Sequence, residues 1–276
     1  MIRAGVVGWP IEHSRSPLIH GYWLRKYGID GDYAKIAIQP ENAPAFFKDL
    51  AAHGLAGCNV TVPHKQAAFL AADKPDAAAL SVRAANTLWL DDGVLFASNT
   101  DIYGFLQNLD DQAPGWDRLG LAASILGAGG AARGIIRGLI DRGIPHIRLC
   151  NRTRERAEAL AEEFGPSVTV FAWEHRADML TDCGLLVNTT TQGMEGNPPL
   201  DIDLSNFSMP GVVCDIVYTP LETDLLRKAR EAGFHTADGL GMLLHQAVPG
   251  FEKWFGVRPE VTAELRELVI ADLEKP

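Results

Sequence analysis

The run Ser124-Ile125-Leu126-Gly127-Ala128-Gly129-Gly130-Ala131-Ala132-Arg133 reads as a short apolar strand, a glycine turn and the opening of a helix that continues through Ile135, Ile136, Leu139 and Ile140. This segment constrains the fold more than any other. Gly127 lets the strand turn sharply, Gly129 lets backbone approach a ligand with no side chain between, and Ala132 takes the small position where helix packs on strand. The free N–H groups at the helix N-terminus then suit a pyrophosphate. Any tight strand-to-helix turn also favours glycine, so the turn alone leaves a plain structural reading open beside the dinucleotide one.

The next apolar run, His146-Ile147-Arg148-Leu149-Cys150, ends in Asn151-Arg152-Thr153-Arg154. A fold that binds NAD usually has an acid here for the ribose hydroxyls. This chain has two arginines and no carboxylate before Glu155, which suits the 2′-phosphate of NADP. Thr153 is also placed to N-cap the polar helix that follows, with the arginines facing water, and the two roles are compatible.

More than a hundred residues precede the glycine turn in a chain of 276, so they need a core of their own and two domains are expected. A net charge of −10 argues against nucleic acid or an anionic membrane as partner. The four cysteines, Cys58, Cys150, Cys183 and Cys214, are scattered, with no C-x-x-C and no Cys and His set that would suggest a metal. That pattern suggests no metal, and reduced thiols in a cytoplasmic protein. The apolar run at Met1–Gly8 is too short for a signal peptide and reads as a first strand.

In the first hundred residues Ser16-Pro17 marks a helix start, with Ser16 the expected cap, and places Ser14 and Ser16 where a strand end meets a helix N-terminus, a fitting site for a small carboxylate. Strands are expected at 32–38 and 54–62 and a helix at 41–53, making a largely parallel α/β unit. Lys65 falls in the first turn of a helix, against the positive end of its dipole. Asp91-Asp92-Gly93 signals a hairpin, and Asp101 is placed to cap the next helix. From Ser124 onward strand and helix alternate through 147–150, 168–171, 174–180 (helix), 185–188 and 212–218, as in a doubly wound sheet whose ligand lies off the carboxyl ends of the strands. Residues 195–210 read as a loop. A helix is expected from Met242 through Phe255 and a last one over 261–273, returning to the first domain. The expected division is 1–104, 105–238 and 239–276.

Nine blocks in order carry a resemblance over nearly the whole chain: Gly8-x-Pro10-x-x-His13-Ser14-x-Ser16-Pro17, Asn59-Val60-Thr61-Val62-Pro63-x-Lys65, Ala85-Asn86-Thr87, Asn99-Thr100-Asp101, Gly127 to Arg133, Asn151-Arg152-Thr153, Gly193-Met194, Asp215-x-x-Tyr218-x-Pro220 and Gly241-Met242-Leu243-x-x-Gln246. Together they resemble the shikimate dehydrogenase family. The resemblance implies a substrate domain facing a Rossmann domain, and NADP-linked reduction of 3-dehydroshikimate to shikimate in aromatic amino-acid biosynthesis, by a monomer or homodimer. It implies that Lys65 and Asp101 are the catalytic pair and that Ser14, Ser16, Thr61, Asn86, Tyr218 and Gln246 bind substrate. It assigns NADP to Gly127, Ala128, Gly129, Gly130, Ala131, Asn151, Arg152, Thr153, Arg154, Thr189, Met194, Ile216 and Gly239. A ketone reduced by hydride gathers charge on oxygen, so a lysine ammonium held by a carboxylate is a fitting proton donor. Met194 would pack on the nicotinamide, although a methionine after a strand is commonly core.

Three positions depart from the family pattern. Gly21 stands where Asn is common, Arg83 where a glycine is usual, and Ser98 where an acid is frequent. Arg83 and Gly21 leave open a relative that accepts quinate or uses NAD. A dinucleotide-binding regulator without catalysis is the alternative from another class, and the intact Lys65 and Asp101 argue against it.

Overall fold

The computed structural model describes residues 1–275, which form two compact units, one of residues 1–104 with 244 onward, the other of residues 105–243. The first unit opens with β1 (Ile2–Gly8), α1 (Ser16–Lys26), β2 (Gly31–Ala37), α2 (Ala43–Lys48), β3 (Gly57–Val60), α3 (Lys65–Ala71), β4 (Lys74–Pro75), α4 (Ala77–Val82), β5 (Thr87–Asp91), β6 (Val94–Ser98) and the start of α5 (Thr100–Gln112). Its sheet runs β2-β1-β3-β5-β6-β4.

This sheet is mixed rather than largely parallel. β1 lies parallel to β2 and β3, but β3–β5 and β5–β6 are antiparallel. For β5–β6 the cause is local: Asp92 and Gly93 both take positive φ and reverse the chain within two residues. The helix expected over 41–53 is regular only in α2, because beyond Lys48 the ladder tightens to three-residue turns, Ala52 N–H to Asp49 and His53 N–H to Leu50. The core holds Phe47, Leu50, Cys58, Leu88 and Ala97, all at most 1% exposed.

The second unit takes in the rest of α5, then β7 (Ala122–Leu126), α6 (Gly130–Asp141), β8 (Ile147–Cys150), α7 (Arg154–Phe164), β9 (Val168–Phe171), β10 (Cys183–Asn188), β11 (Val212–Asp215), α8 (Asp224–Glu231), β12 (His235–Ala237) and most of α9 (Gly239–His245). The sheet is β12-β11-β10-β7-β8-β9, with every pair parallel. β7 is the first strand of the unit and later strands add on both sides, so the order reverses between β7 and β10, the switch point where doubly wound sheets place ligands. In α6 the buried positions Ala132, Ile135, Ile136 and Leu139 follow the helical repeat and meet Ile125, Leu149 and Val187 of the sheet.

Two sequence expectations change here, and one strand, β12, is new. The segment 174–180 is not one helix but two 3-10 turns, Trp173–His175 and Asp178–Leu180. The strand expected over 212–218 stops at Asp215, whose side chain turns the chain. β12 lacks an apolar run and pairs with β11 through its backbone.

The chain leaves the second unit at 243/244, within α9, rather than at 238/239. α10 (Ala247–Phe255) is separate from α9, and with α11 (Ala263–Leu273) it completes the first unit. Trp254 Nε1 donates to the Leu88 carbonyl (2.9 Å), Trp23 Nε1 to that of Glu260 (3.0 Å), and Tyr22 donates to Glu264 (2.7 Å). Among the described residues no helix is long and apolar enough to cross a membrane.

His20 lies fully buried in this aromatic layer, stacked on Tyr33 at 3.9 Å and edge-on to Trp23. Burial pushes its imidazole down to about 3. The folded state therefore holds His20 neutral where the unfolded chain protonates it, and stability is lost as pH falls below about 6.5 toward about 3. We expect this group alone to cost about 2–3 kcal/mol between neutral pH and about pH 4.5. Urea midpoints of the wild type and His20→Phe at both pH values check this, since the variant should lose less; equal losses would remove His20 from the acid response.

Candidate active site

In the first unit the register sets out the site. Val7 of β1 pairs with Val60 of β3, so the segments leaving these strands emerge side by side, joined by Trp9 N–H to the Val62 carbonyl at 3.2 Å. One carries Ser14 and Ser16, the other Thr61 and Lys65. Ser16 begins α1 but its hydroxyl does not cap it. Arg15 holds the N-cap position without a side-chain cap bond, and Ser14 Oγ accepts the Ser16 N–H at 3.3 Å. Ser16 is buried, and Thr61 rests with its methyl group over Gly8.

Lys65 is the first residue of α3, and its carbonyl accepts from Ala85 N–H (2.9 Å), tying the helix start to the segment that carries Asn86. Asp101 is the second residue of α5. It is not the cap, because Asn99 Oδ1 accepts the Asp101 N–H at 3.2 Å and leaves the Asp101 carboxylate for other partners. One oxygen takes Lys65 Nζ at 2.5 Å and the other takes Asn86 Nδ2 at 2.8 Å. The pair is half open, with side-chain exposures of 31% and 20%, and two of the three ammonium hydrogens remain for a ligand. Asn86 Nδ2 also donates to Gln246 Oε1 at 3.0 Å.

Lys65, Asp101, Asn86 and Gln246 thus form one bonded cluster, drawn from four separate stretches of chain. Among the described residues Ser14, Ser16 and Thr61 make no bond to it, and Tyr218 belongs to the second unit.

In that second unit Leu126 pairs with Cys150 on one side and Asn188 on the other, and Asn188 pairs with Asp215. The residues that follow, Gly127, Asn151, Thr189 and Ile216, leave the sheet in a row. Gly127 has φ of 107°, and a Cβ there would come within 2.5 Å of Thr189 Oγ1. No side chain caps α6, and above Gly129 and Gly130 there is open space, so the cradle fits a pyrophosphate. Ala131 follows in its first turn. Asn151 accepts from Ala128 N–H at 3.2 Å and donates to the Thr153 carbonyl at 2.8 Å, which fixes the loop after β8. Thr153 occupies the N-cap position of α7 without making the cap bond. Arg154 is spent on Glu158 (2.7 Å), whereas Arg152 is exposed and makes no ion pair among the described residues. Met194 is 39% exposed rather than core, and Gly239 starts α9 against the Ile216 backbone.

Two organising groups stand in the sequence motifs without a role of their own. Asp215 is fully buried and accepts from Asn188 Nδ2 (3.0 Å), Val217 N–H (3.0 Å) and Thr223 Oγ1 (2.8 Å), shaping the loop that holds Ile216 and Tyr218. Burial pushes its carboxyl up to about 6 against those three donors. An acid ending the apolar strand Val212-Val213-Cys214 was the available signal, since a carboxylate there requires partners. The other is Thr100, taken up below.

Profiles described as the shikimate dehydrogenase substrate binding domain, shikimate / quinate 5-dehydrogenase and the shikimate 5'-dehydrogenase C-terminal domain match residues 6–88, 117–194 and 239–268. A shikimate dehydrogenase (NADP(+)) of Azorhizobium caulinodans is 53% identical over 273 residues, covering 99% of this chain and 97% of that one. The crystal structure of shikimate 5-dehydrogenase from Thermus thermophilus in complex with NADP(H) and shikimate has a TM-score of 0.86 at 34% identity, covering 99% of this chain and 100% of that one. Quinate dehydrogenase from Corynebacterium glutamicum in complex with NAD reaches a TM-score of 0.89 at 28% identity, covering 98% and 99%. With this identity along nearly its whole length, the chain belongs to the shikimate dehydrogenase family.

Proposed function

We propose that the chain catalyses the reversible NADP-linked reduction of 3-dehydroshikimate to shikimate, a step of aromatic amino-acid biosynthesis, with Lys65 and Asp101 handling the proton. The observation that carries this reading is the 2.5 Å contact between Lys65 Nζ and Asp101 in a member of this family. Residues 1–104 with the C-terminal helices hold the substrate, and residues 105–243 hold the cofactor.

Bound NADPH supplies the hydride. As the ketone carbon is reduced, negative charge gathers on its oxygen, and the Lys65 ammonium gives that oxygen a proton. Asp101 aims the ammonium, and the contact offsets its unfavourable place at the start of α3. In the reverse direction neutral Lys65 takes the hydroxyl proton, so the oxidative rate rises with pH. Ser14 and Ser16 receive the substrate carboxylate, while Thr61, Asn86, Tyr218 and Gln246 take its hydroxyl groups or carboxylate. The glycine turn and the start of α6 hold the pyrophosphate, and Arg152 takes the 2′-phosphate. The chain works in the cytoplasm as a monomer or homodimer, which light scattering distinguishes.

The test is nicotinamide absorbance on mixing the protein with shikimate and NADP at alkaline pH: reduction of the cofactor is expected, and its absence overturns the reading. Arg152→Ala is expected to raise KM for NADP by about 10- to 100-fold, the cost of one charge-assisted contact to phosphate, and to leave NAD nearly unchanged. Equal losses with both cofactors would make Arg152 structural. The likeness to a quinate dehydrogenase keeps a second reading in view, and rates with shikimate and quinate, each with NADP and NAD, separate the two. Arg83 gives that reading no support. It sits exposed at the C-cap of α4 with φ of 49°, a left-handed position that favours glycine for backbone reasons.

A further inference from the structure

Thr100 lies between two residues of the site, is 3% exposed and has no assigned role. Its N–H donates to Asn86 Oδ1 at 2.7 Å, and its hydroxyl donates to the Gln246 carbonyl at 2.7 Å. The first bond decides which way the Asn86 amide faces. A backbone N–H can only donate, so the atom it meets must be the oxygen, and the Asn86 NH2 is left to face Asp101 and Gln246. The second bond ties the start of α5, which carries Asp101, to the junction of α9 and α10, which carries Gln246.

The hydroxyl hydrogens can be followed through the cluster. Tyr33 donates to Asn59 Oδ1 (2.6 Å), and Asn59 Nδ2 donates to Thr87 Oγ1 (3.1 Å). Thr87 Oγ1 stands 3.2 Å from both Thr100 Oγ1 and Asn86 Oδ1. Thr100 Oγ1 also lies 3.1 Å from Asn86 Oδ1, but the Gln246 carbonyl is nearer at 2.7 Å and takes the single Thr100 hydrogen, while the Thr87 hydrogen is shared between Asn86 Oδ1 and the Thr100 oxygen. Tyr33, Asn59, Thr87 and Thr100 are all buried, and removing the Thr100 hydroxyl takes its side-chain donor from the Gln246 carbonyl.

We infer that Thr100 is a positioning residue: its hydroxyl, at the end of a buried line of donors, fixes the Gln246 backbone, and with Asn86 it sets Asp101 and Gln246 at the spacing the substrate requires. The inference deepens the proposed function and rests on it. Neither valine nor alanine can donate the bond to Gln246, and serine can.

The experiment compares Thr100→Val and Thr100→Ser with the wild type in shikimate oxidation, with NADP affinity from fluorescence titration. Thr100→Val is expected to raise KM for shikimate about tenfold and to lower kcat by a similar factor, the scale set by a hydrogen bond lost inside the protein. Thr100→Ser is expected to stay within about twofold of the wild type, and NADP affinity to stay constant across the set. If Thr100→Val does not fold, Thr100→Ala, which adds no bulk, replaces it in the same comparison with serine. The inference is overturned if the variant lacking the hydroxyl matches the wild type, or if serine is as impaired as the variant lacking the hydroxyl, since the methyl packing would then be what matters. A wild-type protein that does not oxidise shikimate would instead defeat the proposed function, and the two failures are told apart by that control.

Discussion

Replacing Lys65 with alanine lowers kcat by roughly two to four powers of ten and changes KM for shikimate little, the loss expected when a general acid is removed from an otherwise intact site. No neighbour can take over. Asp101 is the nearest titratable side chain in the cluster, and one of its oxygens stays occupied by Asn86 Nδ2. The other loses its cation, and the carboxylate offers a substrate oxygen repulsion in place of a proton. Lys65→Arg should be nearly as slow, because a guanidinium keeps the positive charge but does not release a proton in the working range. That comparison separates proton transfer from simple charge. Steady-state rates in both directions across a pH series make the measurement. In the oxidative direction the wild-type rate should climb with pH, and the residual rate of Lys65→Ala should be flat. Near-normal turnover by Lys65→Ala would remove the residue from the mechanism.

Gly241→Ala is expected to destabilise the protein by about 2–4 kcal/mol, the range of a buried position overfilled next to polar groups. A Cβ at Gly241 would overlap the Asn108 side-chain oxygen. Asn108 is 1% exposed and cannot simply move aside. Its Nδ2 donates to the Asp238 carbonyl at 2.7 Å, and its Oδ1 accepts from Gln112 Nε2 at 2.6 Å. Asp238 in turn caps α9, accepting from Leu240 N–H at 3.0 Å. Adding one methyl group therefore displaces a bonded set that links α5 to the start of α9. Thermal or urea unfolding reads the loss. In Gly241→Ala/Asn108→Ala the clash is gone, so the two costs should combine to less than their sum. Full additivity would mean that the close approach is not the cause.

The glycine turn was legible because one small segment must satisfy several demands at once: a sharp bend at Gly127, an open face at Gly129, and a buried small residue at Ala132. The pairing of Lys65 with Asp101 was legible through resemblance alone, since 36 positions separate them and no local rule brings them together. Capping was harder. Asp101 and Ser16 both looked like caps, and in both cases an earlier residue, Asn99 or Ser14, takes the N–H, so a polar cluster ahead of a helix does not disclose which member bonds. β12 went unseen because a strand held by backbone pairing alone needs no apolar pattern. Arg83 was misleading for a different reason: its departure from glycine concerns φ and not the ligand. Thr100 acts by tertiary contacts to residues 86 and 246, which the chain order does not bring near it.

The nesting of residues 105–243 within the other unit bears on how the protein is made. The inner unit is contiguous, so it has its whole core as soon as residue 243 has left the ribosome. The outer unit has to wait. The Leu88 carbonyl meets its tryptophan partner only when α10 emerges, and Tyr22 and Trp23 of α1 meet theirs only with the segment around Glu260 and Glu264. Until those segments emerge the first hundred residues lack these partners, whereas the contiguous inner unit has all of its chain available first.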